Sequence, residues 1–297
     1  MVTAGRPSAF GLSVTVGLGI AFVAWSESKR LSETTVSSSK KSFPEKVFID
    51  PQYVPDIRPP HQKNPNLQGV DWQNKNLAYK NLSKVNLSQA NLKVVNLCAA
   101  NLSGSLLIEA KLDFANLYGA ILIGTDLTGA DLIFANLHGS FISEQTRLDP
   151  KWRLVWDILN IDRSERNLNG YDLRAAYLKR ASLEKAELVG ADLTGAILEK
   201  SDLRQANLEK AILWAANLSG ADLRQTNLSE ADLSKSNLSG ADLRQANLSQ
   251  TNLTDANVEK TTFWQNEGLS DSLKQELMER GAIVQDLLDN SLILITT

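Results

Sequence analysis

Ala221-Asp222-Leu223-Arg224-Gln225-Thr226-Asn227-Leu228-Ser229-Glu230-Ala231-Asp232-Leu233-Ser234-Lys235-Ser236-Asn237-Leu238-Ser239-Gly240 reads as four passes of one five-residue unit. The pattern then begins again at Ala241-Asp242-Leu243-Arg244-Gln245. Traced outward, the leucine beat runs from Leu67 to Ile142 and, after a break, from Leu168 to Phe263. The two runs hold 16 and 20 positions, and Leu fills 32 of the 36. Two residues before the beat, Ala, Ser or Thr stands in 28 of the 36 units. A period of five fits neither the helical 3.6 nor the strand period of two. It suits short extended segments joined by sharp turns, with one large and one small residue inward in each segment. A fixed short period means a solenoid, in which each unit touches only its neighbours and stacking builds the core.

The unit Ala-Asn/Asp-Leu-x-x, sustained over residues 66–264, resembles the pentapeptide-repeat family, and the array is similar to those abundant in photosynthetic bacteria. The resemblance implies an all-β solenoid, a right-handed quadrilateral β-helix with four units per coil. Asp202, Asp222 and Asp242 recur at every fourth unit, as do Arg204, Arg224 and Arg244, and Gln205, Gln225 and Gln245, which is what four units per coil requires. Nine coils stacked at roughly 4.8 Å would make a rod about 43 Å long. The start departs from the pattern. Pro65, Val70, Lys75 and Lys80 replace the small residue and Trp72 replaces Leu, so the first coil is expected to be distorted or to serve as a cap.

Between the arrays, Asp149 reads as an N-cap and Pro150 as the first residue of a helix. Trp152, Val155, Trp156 and Leu159 then form one apolar stripe at i, i+3, i+4 and i+7. The stripe is expected to fold back over outward residues (Ile121, Ile123 and Phe141 before the insert, Tyr177 and Ile197 beyond it); a partner-docking helix is the alternative. A second helix is expected from Ser270 to Gly281, with Leu269, Leu273 and Leu277 covering the last coil. The apolar tail, Leu287-Leu288 and Leu292-Ile293-Leu294-Ile295, is too short to span a membrane.

The leading residues are different material. After a tail of residues 1–7, residues 8–25 carry no charge and would span about 27 Å as a helix, enough for a bilayer core. They read as a membrane anchor, with a cleaved signal segment ending near Ala24-Trp25-Ser26 as the alternative. Arg6 stands alone before the segment whereas Lys29, Arg30, Lys40 and Lys41 follow it, which places the repeats on the cytoplasmic side. If the segment is cleaved, the repeats are exported. Residues 26–65, rich in Ser, Lys and Pro, read as a disordered tether with a reach of roughly 35 Å. Val47-Phe48-Ile49 offers a patch for docking on the rod's end. The expected domains are therefore the anchor, the tether, a first array at 66–143, an insert at 144–165, a second array at 166–264 and a C-terminal cap at 265–297.

Chemistry is sparse. Cys98 is the single cysteine, so no internal disulfide forms, and His61 and His138 are isolated. No Ser-His-Asp set, phosphate loop, metal-ligand cluster or cofactor motif occurs. A Leu-filled convex rod offers no pocket in which carboxylates could act as acid and base. The Asp and Arg columns read as a solvated ladder. These features point away from an enzyme and toward a protein-interaction scaffold, with no metal or cofactor. Ile212 and Trp214, outward around Leu213, are candidate partner contacts, and Phe114, Ile133 and Phe134 form a second candidate patch. The resemblance also implies a rival role, since some family members imitate duplex DNA to regulate a type II topoisomerase. Residues 66–264 hold 21 Lys+Arg and 23 Asp+Glu, a net charge of −2, which is too weak for mimicry of phosphates. Nor is there a basic stripe for binding nucleic acid directly.

Overall fold

The computed structural model describes residues 65–163 and 165–285. The segment 8–25, most of the tether with His61 and Val47-Phe48-Ile49, and the apolar tail beyond 285 lie outside the described residues. Each repeat contributes one short parallel pairing to the fourth repeat after it, as in Asp202↔Asp222↔Asp242. Four repeats therefore close one coil, and short parallel ladders join each of its four walls to the next coil. Leu223 N donates to Asp242 O at 2.8 Å, and Asp242 N donates back to Ala221 O at 3.0 Å.

Why five residues turn a corner follows from local bonds. The carbonyl of Leu218 accepts from Ala221 N at 3.0 Å, closing a four-residue turn whose third residue, Gly220, has φ 63°. That geometry demands positive φ at the third turn residue. Gly supplies it in some repeats, but Lys, Gln, Glu and others adopt it in most. The residue before Leu holds the turn from the side. Asn116 Oδ1 accepts from Tyr118 N at 3.2 Å, while Asn116 Nδ2 donates to Asn96 Oδ1 in the coil below at 3.2 Å. This explains the Asn/Asp preference: one side chain closes its own turn and bonds to the neighbouring coil.

Inside, Leu and the small residue are fully buried from Leu82 to Leu243 with few exceptions, and they form one continuous core. Where Ser or Thr takes the small position, its hydroxyl usually bonds back to a Leu carbonyl, as Ser201 Oγ does to Leu198 O at 2.8 Å; Ser236, whose hydroxyl has no partner, is the exception. The Ser201 hydroxyl is thereby satisfied. The first coil keeps the regular pairings Asn66↔Asn86 and Asp71↔Asn91, so the expected distortion is absent. It differs in burial, because Leu67, Val70, Trp72 and Leu77 are only partly covered.

The register slips where Asp126 pairs with Arg147, one position later than the regular spacing, so the first array reaches past the expected limit at 143. Helix α1, Pro150–Asn160, follows. Asp149 stands at the N-cap, but its side chain makes no cap bond; it accepts weakly from Gly129 N at 3.5 Å instead. Trp152, Val155, Trp156 and Leu159 are buried, and so is Ile158, which widens the stripe. All five join the solenoid core rather than an outer wall. Trp156 Nε1 donates to Ser140 O at 3.0 Å and Asn160 Nδ2 to Leu137 O at 3.1 Å, carbonyls on the open end of the last coil of the first array. The helix therefore covers the coil's end; of the outward residues before the insert that it was expected to cover, Ile121 is buried, Phe141 half-buried and Ile123 36% exposed. The hydrogen bonds of α1 thus go to the coil's end, where the expectation names only the outward column: an open sheet edge has backbone groups to satisfy, and an outer wall does not. Beyond α1, Arg166 bonds Asp157 at 2.6 Å and also reaches the Ile161 carbonyl, tying the helix to the second array.

The C-terminal end closes with three pieces. Strand β1, Thr262–Phe263, is followed by helix α2, Asp271–Glu279, and strand β2, Ile283–Val284, which pairs in parallel with β1. Ser270 caps α2 by accepting from Leu273 N at 3.2 Å, and Leu277 is fully buried. Gly268, at φ 82°, lies where a Cβ would come within 2.4 Å of Ser249 N, so no other residue fits there. Arg280 bonds the carbonyls of Leu253 and Ala256.

Candidate interaction surface

The two arrays are one stack despite the insert, because Phe134 N donates to Ala175 O at 2.9 Å. That bond fixes which walls continue each other. The wall through Asn91, Lys111 and Asp131 continues as Asp172, Asp192 and Ile212. Along its turn corner stand Val94, Phe114 and Phe134, then Ala175, Gly195 and Ala215. Each has φ between 54° and 65°. Val94 is 51% and Phe114 56% exposed, and the rings of Phe114 and Phe134 stack at 4.8 Å. Ile133, beside them, is partly buried against the core.

Large apolar residues are the exception at turn corners, which elsewhere carry mostly Gly, Lys, Gln and Glu. Tyr79, Val94, Phe114 and Phe134 are the bulky apolar residues that take positive φ, and three of the four fall on this corner in consecutive coils. A β-branched residue such as Val94 at φ 57° is a conformational outlier as well as an exposed one. Backbone strain and apolar exposure coincide there, and neither favours folding.

Ile212 and Trp214, 42% and 43% exposed, lie on the same wall three coils beyond Phe134, about 14 Å along the rod. The two patches read separately from the sequence thus lie along one corner, with Asp172, Arg174 and Asp192 beside the small corner residues between them. Lys235, next on the corner after Ala215, places its ammonium 5.6 Å from the Trp214 ring centroid. Tyr177 and Ile197 open the adjoining wall and pair with each other, half-buried, beside the small corner residues. Sequence reading missed Val94 and the continuity through Ala175, Gly195 and Ala215. The available signal was turn position, since a large apolar residue there cannot reach the core.

The polar ladder occupies another wall. Arg204 grips Asp202 with a fork, Nε to Oδ1 at 2.8 Å and Nη2 to Oδ2 at 2.6 Å, and Arg224–Asp222 and Arg244–Asp242 repeat it. Between coils the approach is longer, 3.8 Å from Arg204 to Asp222, so each pair closes within its own coil. Beside them Gln205, Gln225 and Gln245 form a chain of amide bonds at 2.8 and 3.0 Å. The fork from Arg204 holds the Asp202 carboxyl below its usual range although burial opposes it. Among the described residues, the groove lined by Glu184, Arg204, Gln205, Arg224, Gln225 and Gln245 is shallow and its donors face acceptors of the protein itself. The same residues show no cluster of three or more His, Cys, Asp or Glu suited to a metal. None of their helices is long and apolar enough to cross a membrane.

Two titratable groups flank α1. Asp172 is pushed well below the carboxylate range, first by the Arg174 side chain and further by Lys151 of α1 at 3.1 Å. His138, edge-on to Tyr118 at 6.2 Å, is held below 6.5 by burial; the Leu159 backbone opposes this and the Arg180 charge adds to it. Cys98 is half-buried, which raises its thiol pKa.

Comparison with known proteins agrees with the geometry. Eight copies of the family described as "Pentapeptide repeats" match, within residues 66–144 and 164–265. Among solved structures, the chain is 30% identical to HetL, a pentapeptide repeat protein involved in heterocyst differentiation regulation from the cyanobacterium Nostoc sp. strain PCC 7120. That match covers 67% of this chain and 90% of HetL, with a TM-score of 0.23. A pentapeptide repeat protein from the Arabidopsis thaliana thylakoid lumen is 29% identical over 40% of this chain and 79% of its own, with a TM-score of 0.27. QnrB1, a plasmid-mediated fluoroquinolone resistance protein, is 16% identical over 73% and 96% of the two chains, also at 0.27. No curated protein matches. A coil of four Leu-centred turns, repeated on both sides of α1 and matched over more than half the sequence, makes this chain a member of the pentapeptide-repeat family, whose proteins fold as right-handed quadrilateral β-helices.

Proposed function

We propose that the protein is a non-enzymatic scaffold that docks a partner protein along the apolar corner of one wall. The coincidence of strain and exposure at Val94 and Phe114, with the half-buried Phe134 stacked on Phe114 and Trp214 in line, carries this reading. Folding alone would favour Gly or a polar residue at each of those turns. Aromatic residues on a rigid support make energetic anchors. The uncharged segment 8–25 supports a membrane tether with the repeats on the cytoplasmic side, and export after cleavage is the alternative. Photo-crosslinking in the native cell, from a benzophenone amino acid placed at Phe114 or Trp214, tests the docking site. One partner joined at both positions and lost in Phe114→Ser/Phe134→Ser is expected, whereas no crosslink at either position refutes the reading. Fractionation of the untagged chain tests the tether, which a full-length product in the soluble fraction would refute.

Mimicry of DNA toward a type II topoisomerase is the second reading, and the net charge of −2 over residues 66–264 disfavours it. In a supercoiling assay, the scaffold reading expects no effect of the protein.

A further inference from the structure

The chemistry of the corner narrows the kind of partner, a step that rests on the scaffold reading above. Every corner N–H is already spent on the next coil: Val94 N to Asp113 O at 2.9 Å, Phe114 N to Ile133 O at 2.8 Å and Ala215 N to Ser234 O at 3.0 Å. The strip therefore presents side chains and no free sheet edge. An extended peptide laid along it would leave its own backbone donors and acceptors unpaired against apolar surface. A helix arrives with those groups satisfied internally.

Spacing points the same way. From Val94 to Ala215 the corner rises five coils, about 24 Å, the length of roughly 16 helical residues. A helical turn of about 5.4 Å against a coil step of about 4.8 Å drifts by only about 3 Å over that length. One apolar side chain per turn can thus follow the corner throughout. The relief is graded: bulky Val94, Phe114 and Phe134 stand at one end, and Ala175, Gly195 and Ala215 leave a shallow track beside Trp214 at the other. Lys235 closes the track, its ammonium over the Trp214 ring and with no carboxylate in ion-pair reach among the described residues. A helix C-terminus carries about half a negative charge.

From this complementarity we infer that the corner seats an amphipathic helix of the partner protein. Its apolar face lies along Val94 to Ala215, and its C-terminal turn, bearing acidic residues, sits over Lys235. Small side chains of that helix face the phenylalanine pair and large ones fill the track.

A phage-displayed library of 18-residue helical peptides, selected on the full-length chain in detergent micelles, tests this. Selected clones would be remade with a fluorescein label and measured by anisotropy. The expected clones carry apolar residues at i, i+3 or i+4, and i+7, with Glu or Asp in the last turn. A central proline should weaken them at least about tenfold. Phe114→Ser/Phe134→Ser should do the same while leaving the melting temperature within a few degrees. Lys235→Glu should cost about fivefold, recovered when the terminal acids of the peptide become Lys. Failure to enrich helical clones, equal binding of the proline-broken peptides, or equal binding to the double variant overturns the inference. If a native partner crosslinks at Phe114 and Trp214 but no selected helix competes with it, the helix inference falls and the scaffold reading stands. If no partner crosslinks, both fall.

Discussion

The asparagine that opens a repeat binds in two directions at once. Asn136 Nδ2 donates to Asn116 Oδ1 at 3.3 Å, and Asn116 passes the chain on to Asn96 at 3.2 Å while holding the Tyr118 N–H. Replacing Asn116 with Ala removes two partly buried hydrogen bonds and an exposed one, so at a net of about 1 kcal/mol for each partly buried bond chemical denaturation should report a loss of about 2 kcal/mol. The corner residues work in the opposite sense. Val94→Asn substitutes a residue that tolerates φ near 57°, and a stability gain of up to about 1 kcal/mol is expected beside weaker partner binding. If thermal melts show Val94→Asn to be less stable, the corner is not strained. His138 sets a pH dependence. Its folded pKa lies below the unfolded 6.5, so the unfolded chain binds more protons in the interval between the two. Stability is complete above about pH 6.5 and declines as pH falls through that interval, levelling below the folded value. His138→Gln should flatten this part of the stability–pH curve. An unchanged slope between pH 5 and 7 would place the dependence elsewhere.

At the scale of elements, α1 is where reading the sequence was both productive and incomplete. The stripe Trp152, Val155, Trp156 and Leu159 was legible because it follows the helical period, and the break in the leucine beat located it. Its target was not legible, since periodicity gives a face and not what lies against it. The burial of Ile158 and the bond from Trp156 to Ser140 O belong to a coil end that only coordinates reveal. Continuity across the insert was hidden for a related reason. Phe134 and Ala175 bond across a span one position longer than two whole coils, and counting in fives cannot foresee the extra residue. Strand β2 escaped as well, because two residues carry no pattern. Trp156→Ala should cost about 3–5 kcal/mol through lost packing. Trp156→Phe keeps most of the volume but leaves the Ser140 carbonyl without that donor, at about 1–3 kcal/mol. Near-UV circular dichroism and urea unfolding separate the two. Equal, small losses would mean that α1 is an ornament rather than part of the core.

For the whole molecule, stability is a sum of near-identical coils and their contacts, so position along the stack should grade the effect of one defect. Leu208→Ala and Leu67→Ala delete the same side chain, yet Leu208 is fully buried and Leu67 only partly covered. A loss of about 2–5 kcal/mol is expected for Leu208→Ala and distinctly less for Leu67→Ala. Urea titrations followed by tryptophan fluorescence measure both, and equal losses would mean that the first coil is as well packed as the middle. The forks on the charged wall predict the reverse of what their number suggests. Arg224→Gln, on an exposed pair screened by solvent, should leave the urea midpoint almost unchanged.

The corner strip has meaning only because every coil closes after four turns. Removing a single pentapeptide, for example residues 196–200, would keep each leucine inward and each backbone ladder paired while rotating everything beyond it by a quarter turn. Trp214 and Lys235 would then face a different compass point from Phe114, in an equally well-folded rod. Deleting one whole coil would instead shorten the strip and keep its ends in phase. The molecule thus works as a ruler that is also a protractor: length is set by the number of coils, and bearing by the remainder after division by four.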